Sequence, residues 1–357
     1  MKHRLLFSLV VLSLVHFGVQ ANDNAQLSLA SLADFPIGAA VPADPWPNSL
    51  MQSPQRQALM EQHFDSLTAE NAMKMAYLQP APGEFEFSHA DALVSYAKAN
   101  DMIVHGHALV WHTQTAKWMD EHPGPAHEIT QIMDNHVRTV AGHYAGKITS
   151  WDVVNEAFTD DNPSEYRETL WYNNIGPGYI ERAFRLAHQA APQADLYYND
   201  YDISGMIGPA KLDRVLEMID DFLARGVPIH GLGFQMHIDT EKPSLEDIRE
   251  SFAKAVARGI KVRISELDIA VNQSEQYQHL TPEVAQLQRQ RYRDVARVYL
   301  ETVPAKLRGG ITLWGLTDSD SWIPGFKERA DWPLLFDADF QPKPALEGFA
   351  QGLRGSE

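Results

Sequence analysis

The stretch Arg263-Ile264-Ser265-Glu266-Leu267-Asp268-Ile269 decides how this chain folds. It is an apolar run that closes on two carboxylates. In a strand, successive side chains point to opposite faces, which sets Ile264, Glu266 and Asp268 on one face and Leu267 and Ile269 on the other. Two acids on the inner face of a buried strand are costly unless they perform a task. Far upstream, Trp151-Asp152-Val153-Val154-Asn155-Glu156 has the same form, an apolar strand running into a glutamate.

Outward from these two stretches, strand patterns recur at residues 35–41, 66–71, 102–112, 148–156, 195–202, 232–238, 261–269 and 310–317. Helical periodicity falls at 55–64, 91–98, 128–144, 180–189, 211–224, 245–257, 284–302 and 345–353, with glycine or proline at most junctions. Eight strand–helix repeats predict an α/β fold, a single-domain (β/α)8 TIM barrel over residues 35–355. A doubly wound open sheet is the competing architecture, but no glycine-rich phosphate loop follows any strand. In a barrel the C-terminal strand ends build the active face. Polar clusters sit at seven of the eight ends: Glu70 and Asn71, His107 to His112, Asn155 and Glu156, Asn199 to Asp202, Gln235 and His237, Glu266 and Asp268, and Trp314 with Asp318. Along their strands His107 and Trp111 share a face, as do Asn199 and Tyr201, and as do Gln235, His237 and Asp239. The fourth and seventh strands are expected on opposite sides of the barrel, with Glu156 and Glu266 confronting each other across its mouth. Opposed glutamates among amides, histidine and tryptophans suit glycoside hydrolysis, in which one carboxylic acid protonates the leaving oxygen and the other carboxylate attacks the anomeric carbon.

Composition narrows the partners. The 357-residue chain carries a formal charge of −17, which disfavours nucleic acid and anionic lipid. Eight tryptophans and twelve tyrosines suit a neutral partner with flat apolar faces, such as a sugar ring. Residues 1–21 read as a secretory signal: Lys2 and Arg4, an apolar run too short to span a bilayer, then Val19-Gln20-Ala21. Cleavage would make the remainder two charges more negative and leave 22–34 as a lead-in. With no cysteine, there is neither a disulfide nor a lipid-bearing thiol, and an exported chain must rely on its core. Localisation is expected to be secreted or periplasmic, without a membrane anchor after cleavage, and the chain a monomer.

The sequence resembles the endo-β-1,4-xylanases of glycoside hydrolase family 10. The resemblance lies in Thr68-Ala-Glu-Asn-Ala-Met-Lys74, His107-Ala-Leu-Val-Trp-His112, Trp151-Asp-Val-Val-Asn-Glu156, Tyr198-Asn-Asp-Tyr201, Phe234-Gln-Met-His237, Ile264-Ser-Glu-Leu-Asp268 and Leu313-Trp-Gly-Leu-Thr-Asp318 with Trp322. It implies a retaining double displacement on xylan or xylo-oligosaccharides, with Glu156 as acid/base and Glu266 as nucleophile. Such a pair is expected about 5–5.5 Å apart. It further implies that Asn155 bonds the sugar 2-hydroxyl, that His237 bonds Glu266, and that Asp268 holds the other ring nitrogen. Glu70, Asn71 and Lys74 match the glycone side, while His107, Trp111, Gln235, Trp314 and Trp322 match the walls around the reacting sugar. Tyr201 and Asn199 match groups beside the nucleophile and toward the leaving group. Two positions depart from many relatives, Met75 for a tryptophan and Ala72 for a glutamate.

Other readings compete. His105 and His107 with His237 and Asp268 would make a metal site on a barrel, but the two glutamates would then have no task. No metal or organic cofactor is implied for the carboxylate chemistry. A sugar-binding barrel without activity would be expected to lack one glutamate. A β-1,4-glucanase would use the same pair. Asp152 and His105 read as structural hydrogen-bonding groups, Trp151 as packing between barrel and helices, and Trp118 as a candidate for a distal sugar contact.

Overall fold

The computed structural model describes residues 27–120, 124–160, 162 and 165–355. The signal reading at 1–21 lies outside these residues, as does part of the lead-in. Nine strands occur among the described residues: β1 Ile37–Val41, β2 Ser66–Ala69, β3 Ile103–Gly106, β4 Ser150–Asn155, β5 Asp195–Asp200, β6 Gly231–Phe234, β7 His237–Asp239, β8 Lys261–Ala270 and β9 Arg308–Leu313. All pair in parallel in the order β6-β5-β4-β3-β2-β1-β9-β8, and β6 pairs with β8 to close the ring. β7 adds to the upper part of β8, with His237 opposite Asp268. The closed eight-stranded parallel ring is the (β/α)8 barrel, with helices outside.

The helices form where local signals and an apolar face agree. Leu245–Val256 starts at a capping box in which Ser244 and Asp247 satisfy each other's backbone N–H, and it buries Ile248 and Phe252. Phe252 packs edge-on against Phe234 of β6, with ring centroids 5.0 Å apart. Pro282–Thr302, capped by Thr281, lays Tyr292, Val295 and Tyr299 on the barrel wall. Trp151 faces outward, fully buried against Tyr144. Its ring fills the space a side chain at residue 106 would need, since a Cβ on Gly106 would lie 2.2 Å from it. The floor of the barrel is polar. Arg263, buried inside, donates to the Gly309 carbonyl at 2.9 Å and to Thr312 Oγ1 at 2.6 Å.

Several expectations change. The third strand ends at Gly106 instead of running to His112, and beyond it only Val110 bridges to Val154. The sixth strand is interrupted at Met236, whose φ of +63° turns the chain between β6 and β7. The eighth spans Arg308–Leu313 rather than 310–317. The fourth and seventh strands of the ring, β4 and β8, are not diametrically opposed, because only β5 and β6 separate them.

The shared face of Ile264 and Glu266 is overturned as well. Ile264 pairs with Phe234 and so points outward to the helices, whereas Glu266 points inward. β8 pairs Ile264 with Ile311 and Leu267 with Leu313, so it carries one more residue than β9 across this span. That bulge turns Ser265 and Glu266 to the same side, and both bond Asn199.

Candidate active site

The C-terminal ends of the strands surround a cleft of about 750 Å³. Glu156 and Glu266 both line it. Each owes its position to an irregular backbone. In β4 the pairing with β5 slips between Asp152 and Val154, and Glu156 itself has a φ of +57°, a left-handed conformation rare for a non-glycine residue. Its N–H is held by the Asn199 carbonyl at 3.0 Å, and the next N–H, of Ala157, by the Tyr198 hydroxyl at 2.9 Å. The result is that neighbours Asn155 and Glu156 both face the cleft.

The two glutamates are joined by amides. Gln235 Nε2 donates to Glu156 Oε1 at 2.8 Å, and Asn155 Nδ2 to the same oxygen at 3.0 Å. Asn199 Nδ2 donates to Asn155 Oδ1 at 2.9 Å and to Glu266 Oε1 at 2.7 Å. Ser265 Oγ donates to Asn199 Oδ1 at 2.6 Å, which fixes the orientation of that amide. Trp111 Nε1 donates to Glu156 Oε2 at 2.9 Å. Trp111 is steadied by Trp171, which donates to its carbonyl, and by the Lys74 ammonium 4.8 Å from its ring centre.

Charge surrounds Glu266. His237 Nε2 lies 3.3 Å from Glu266 Oε2, and its Nδ1 lies 2.9 Å from Asp268 Oδ2. Burial disfavours an imidazolium here, but Asp268 and Glu266 outweigh it and push His237 up to about 10. Trp322 Nε1 donates to the same Asp268 oxygen at 2.8 Å. Burial would raise the Glu266 carboxyl, yet His107 and His237 bring it below the usual range. His107 in turn is held by Asp152, 2.9 Å away, and His105 Nε2 lies 3.0 Å from the same carboxylate oxygen. Of the histidines in the metal reading, His105 and His107 are therefore engaged with Asp152, and His237 with Asp268 and Glu266. Among the described residues no group of three or more His, Cys, Asp or Glu is arranged to hold a metal ion.

The two glutamates and the sugar-contact and supporting residues that the family motifs assign all line the cleft except Asn199, which lies fully buried beneath it. Glu70, Asn71 and Lys74 gather at one end, where Lys74 Nζ donates to Asn71 Oδ1 at 3.0 Å and to Gln114 Oε1 at 2.8 Å. Burial lowers Lys74 to about 8, with Glu266, Glu70 and Glu156 holding it that high. Trp314 lies against His107, ring centroids 5.3 Å apart. Trp118 does not line the cleft; its indole donates to the Gln79 carbonyl.

Gln114 was missed, although it lies only three residues beyond Trp111. Also missed was a charged cluster beside Glu156. Arg167 donates to the Glu156 carbonyl at 3.3 Å and to the Tyr201 hydroxyl at 3.0 Å. Tyr201 donates to Asp160, and the buried Lys211 pairs with Asp160 at 3.1 Å and with Asp200 at 2.9 Å. Its members come from three separated segments, and no local pattern ties them together.

Residues 26–352 match the glycosyl hydrolase family 10 model. The chain is 43% identical over 371 residues to endo-β-1,4-xylanase Xyn10C of Cellvibrio japonicus, covering 98% of this chain and 61% of that protein. It is 42% identical over 351 residues to endo-1,4-β-xylanase A of Cellvibrio japonicus strain Ueda107, covering 92% of this chain and 56% of that one. The chain thus spans less than two thirds of the length of these two relatives. A solved structure of a Cellvibrio japonicus xylanase 10C mutant in complex with xylopentaose superposes with a TM-score of 0.88 at 42% identity, covering 92% of this chain and 69% of that one. This chain belongs to glycosyl hydrolase family 10.

Proposed function

We propose that this chain is a retaining endo-1,4-β-xylanase acting on xylan or xylo-oligosaccharides, with Glu156 as acid/base and Glu266 as nucleophile. The observation that carries the reading is the different company of two glutamates in one cleft. Glu266 lies beside a protonated histidine and accepts from Asn199, so it is held ionised and turned, as an attacking carboxylate requires. Glu156 takes its hydrogen bonds from the neutral donors Trp111, Asn155 and Gln235. In the first step Glu266 attacks the anomeric carbon while Glu156 gives its proton to the leaving oxygen. In the second, Glu156 takes a proton from the water that releases the glycosyl group. Asn155 and Asn199, bonded to each other, set the two acids on neighbouring amides and support a close, retaining pair.

The substrate reading draws support from the relatives, which are xylanases, and from the solved relative holding xylopentaose. We take Glu70, Asn71 and Lys74 as glycone-side contacts, Trp314 and Trp322 as walls of the reacting sugar's site, and Tyr201 as a leaving-group-side contact. No helix among the described residues is long and apolar enough to cross a membrane. Separately, the basic and then apolar residues 1–21 support export, and we take the chain as a monomer.

Hydrolysis of aryl β-xylobioside against aryl β-cellobioside tests the reading, with Glu156→Ala and Glu266→Ala alongside. Xylobioside should be preferred. Glu266→Ala should lose at least about 10⁴-fold in turnover. Glu156→Ala should retain the first step on a leaving group that needs no proton. Preference for cellobioside would move the enzyme to glucans, and the reverse pattern in the two variants would exchange the glutamates' roles.

A further inference from the structure

Glu156 reaches the cleft from a left-handed turn, and the backbone groups of that turn are each taken. The Glu156 N–H donates to the Asn199 carbonyl at 3.0 Å, and the Glu156 carbonyl accepts from Arg167 Nε at 3.3 Å. The Ala157 N–H donates to the Tyr198 hydroxyl at 2.9 Å. This last bond is the end of a buried chain. Tyr198 Oη donates to Asp200 Oδ2 at 2.5 Å, and Asp200 Oδ1 lies 2.9 Å from Lys211 Nζ. Tyr198 and Asp200 stand on the face of β5 opposite to Asn199, and Lys211 in the first turn of the helix Ala210–Ala224. All three are fully buried, and none of them lines the cleft.

Opposite charges shut away from water are often no more stable than apolar residues of the same size, so this pair calls for a task beyond packing. Its effect is to orient one hydroxyl. Burial and Asp200 push Tyr198 well above its ordinary value, so it keeps its single proton. That proton is committed to Asp200, which leaves the oxygen's lone pairs for the Ala157 N–H. Burial raises the Asp200 carboxyl, and Lys211 is the chief group opposing the rise. The lysine thereby keeps Asp200 an acceptor, and the direction of every bond from Lys211 to Ala157 is set.

From this chain we propose that Lys211, Asp200 and Tyr198 are positioning residues for proton transfer, acting through the Ala157 N–H to fix the turn that aims Glu156 at the leaving oxygen. The proposal rests on the acid/base reading of Glu156. Among the described residues the chain makes no bond to Glu266, so its loss falls on protonation of the leaving group more than on nucleophilic attack.

The test compares kcat/KM, which reports the first step, for two aryl β-xylobiosides. Departure of 2,4-dinitrophenolate needs no proton, whereas departure of phenolate draws one from Glu156. Tyr198→Phe removes only the hydroxyl, and should lower the value for the phenyl compound about tenfold further than that for the dinitrophenyl compound. Lys211→Met should shift the ratio the same way. Without the lysine, buried Asp200 takes a proton and donates it to the Tyr198 oxygen, and the tyrosine's own proton turns toward the Ala157 N–H. A general loosening of the site would lower both values alike. Equal losses on the two substrates, or a ratio within twofold of the unmodified protein, in whichever variant folds, overturn the proposal. Failure of the unmodified protein to cleave either compound would instead remove the xylanase reading, and an unchanged ratio in Glu156→Ala would remove the acid/base assignment.

Discussion

At the residue scale, His237 governs the charge on Glu266. Asp268 receives both His237 and Trp322, so the imidazole ring cannot swing away. Replacing it with asparagine removes the cation and lets burial raise the carboxyl. The acid limb of kcat/KM against pH should then move upward by about one unit. An unmoved limb in His237→Asn would show that the imidazolium does not set the Glu266 charge. Lys74 makes a separate prediction at the other end of the cleft. Lowered to about 8, it loses its proton just above neutrality, and its bonds to Asn71 and Gln114 weaken. KM for xylo-oligosaccharides should rise between pH 7 and 9 with kcat less affected, and Lys74→Arg should flatten the rise. A pH-independent KM would count against it.

At the element scale, the site depends on where strands depart from regularity. Asn199 reaches Asn155 and Glu266 only because β6 carries Gly233 beside it, and a Cβ there would lie 2.3 Å from Asn199 Oδ1. Gly233→Ala should therefore displace the amide that bridges the two glutamates. A fall of about 100-fold in kcat is expected, equivalent to about 2.7 kcal/mol of activation free energy. A variant with normal kcat would show that the bridge is dispensable. The same irregularity marks how far the sequence could be read. Apolar runs ending in polar residues were enough to find the eight strands, and with the family motifs they gave both glutamates and more than half of the cleft-lining residues, because residue type carries that information. Alternation was not enough to assign faces. The bulge at Ser265–Glu266 arises from the register between β8 and β9, which no single stretch contains. The third strand was read too long for a similar reason: residues 107–112 are as apolar as a strand, but past Gly106 they leave the ladder to carry His107 and Trp111 over the cleft. Lys211 stands in the first turn of its helix with no local sign of a task, and only tertiary folding sets it between Asp160 and Asp200.

At the scale of the whole molecule, closing the barrel buries titratable groups in opposite senses, and stability should depend on pH from both sides. His237 has a folded value above its ordinary 6.5, so its contribution is full below 6.5 and is lost as pH rises through about 10. His63 and His136 are the reverse. Burial lowers both to about 4, because neither finds an acid to favour its cation. His63 lies at the last turn of its helix, where a positive charge is ordinarily welcome, but it is packed among Phe64 and Phe336. Between pH 6.5 and about 4 the unfolded chain binds protons that these two folded histidines refuse, so stability falls as pH falls through that window. Each accounts for on the order of 3 kcal/mol at pH 4. Thermal unfolding followed from pH 7 to pH 4 should show the decline beginning near 6.5. His63→Phe, which keeps the ring contacts and removes the proton site, should flatten it by about one histidine's share while leaving Tm at pH 7 the same or higher. If the variant declines as steeply as the parent, the acid sensitivity comes from the carboxylates of the cleft rather than from histidines buried in the wall.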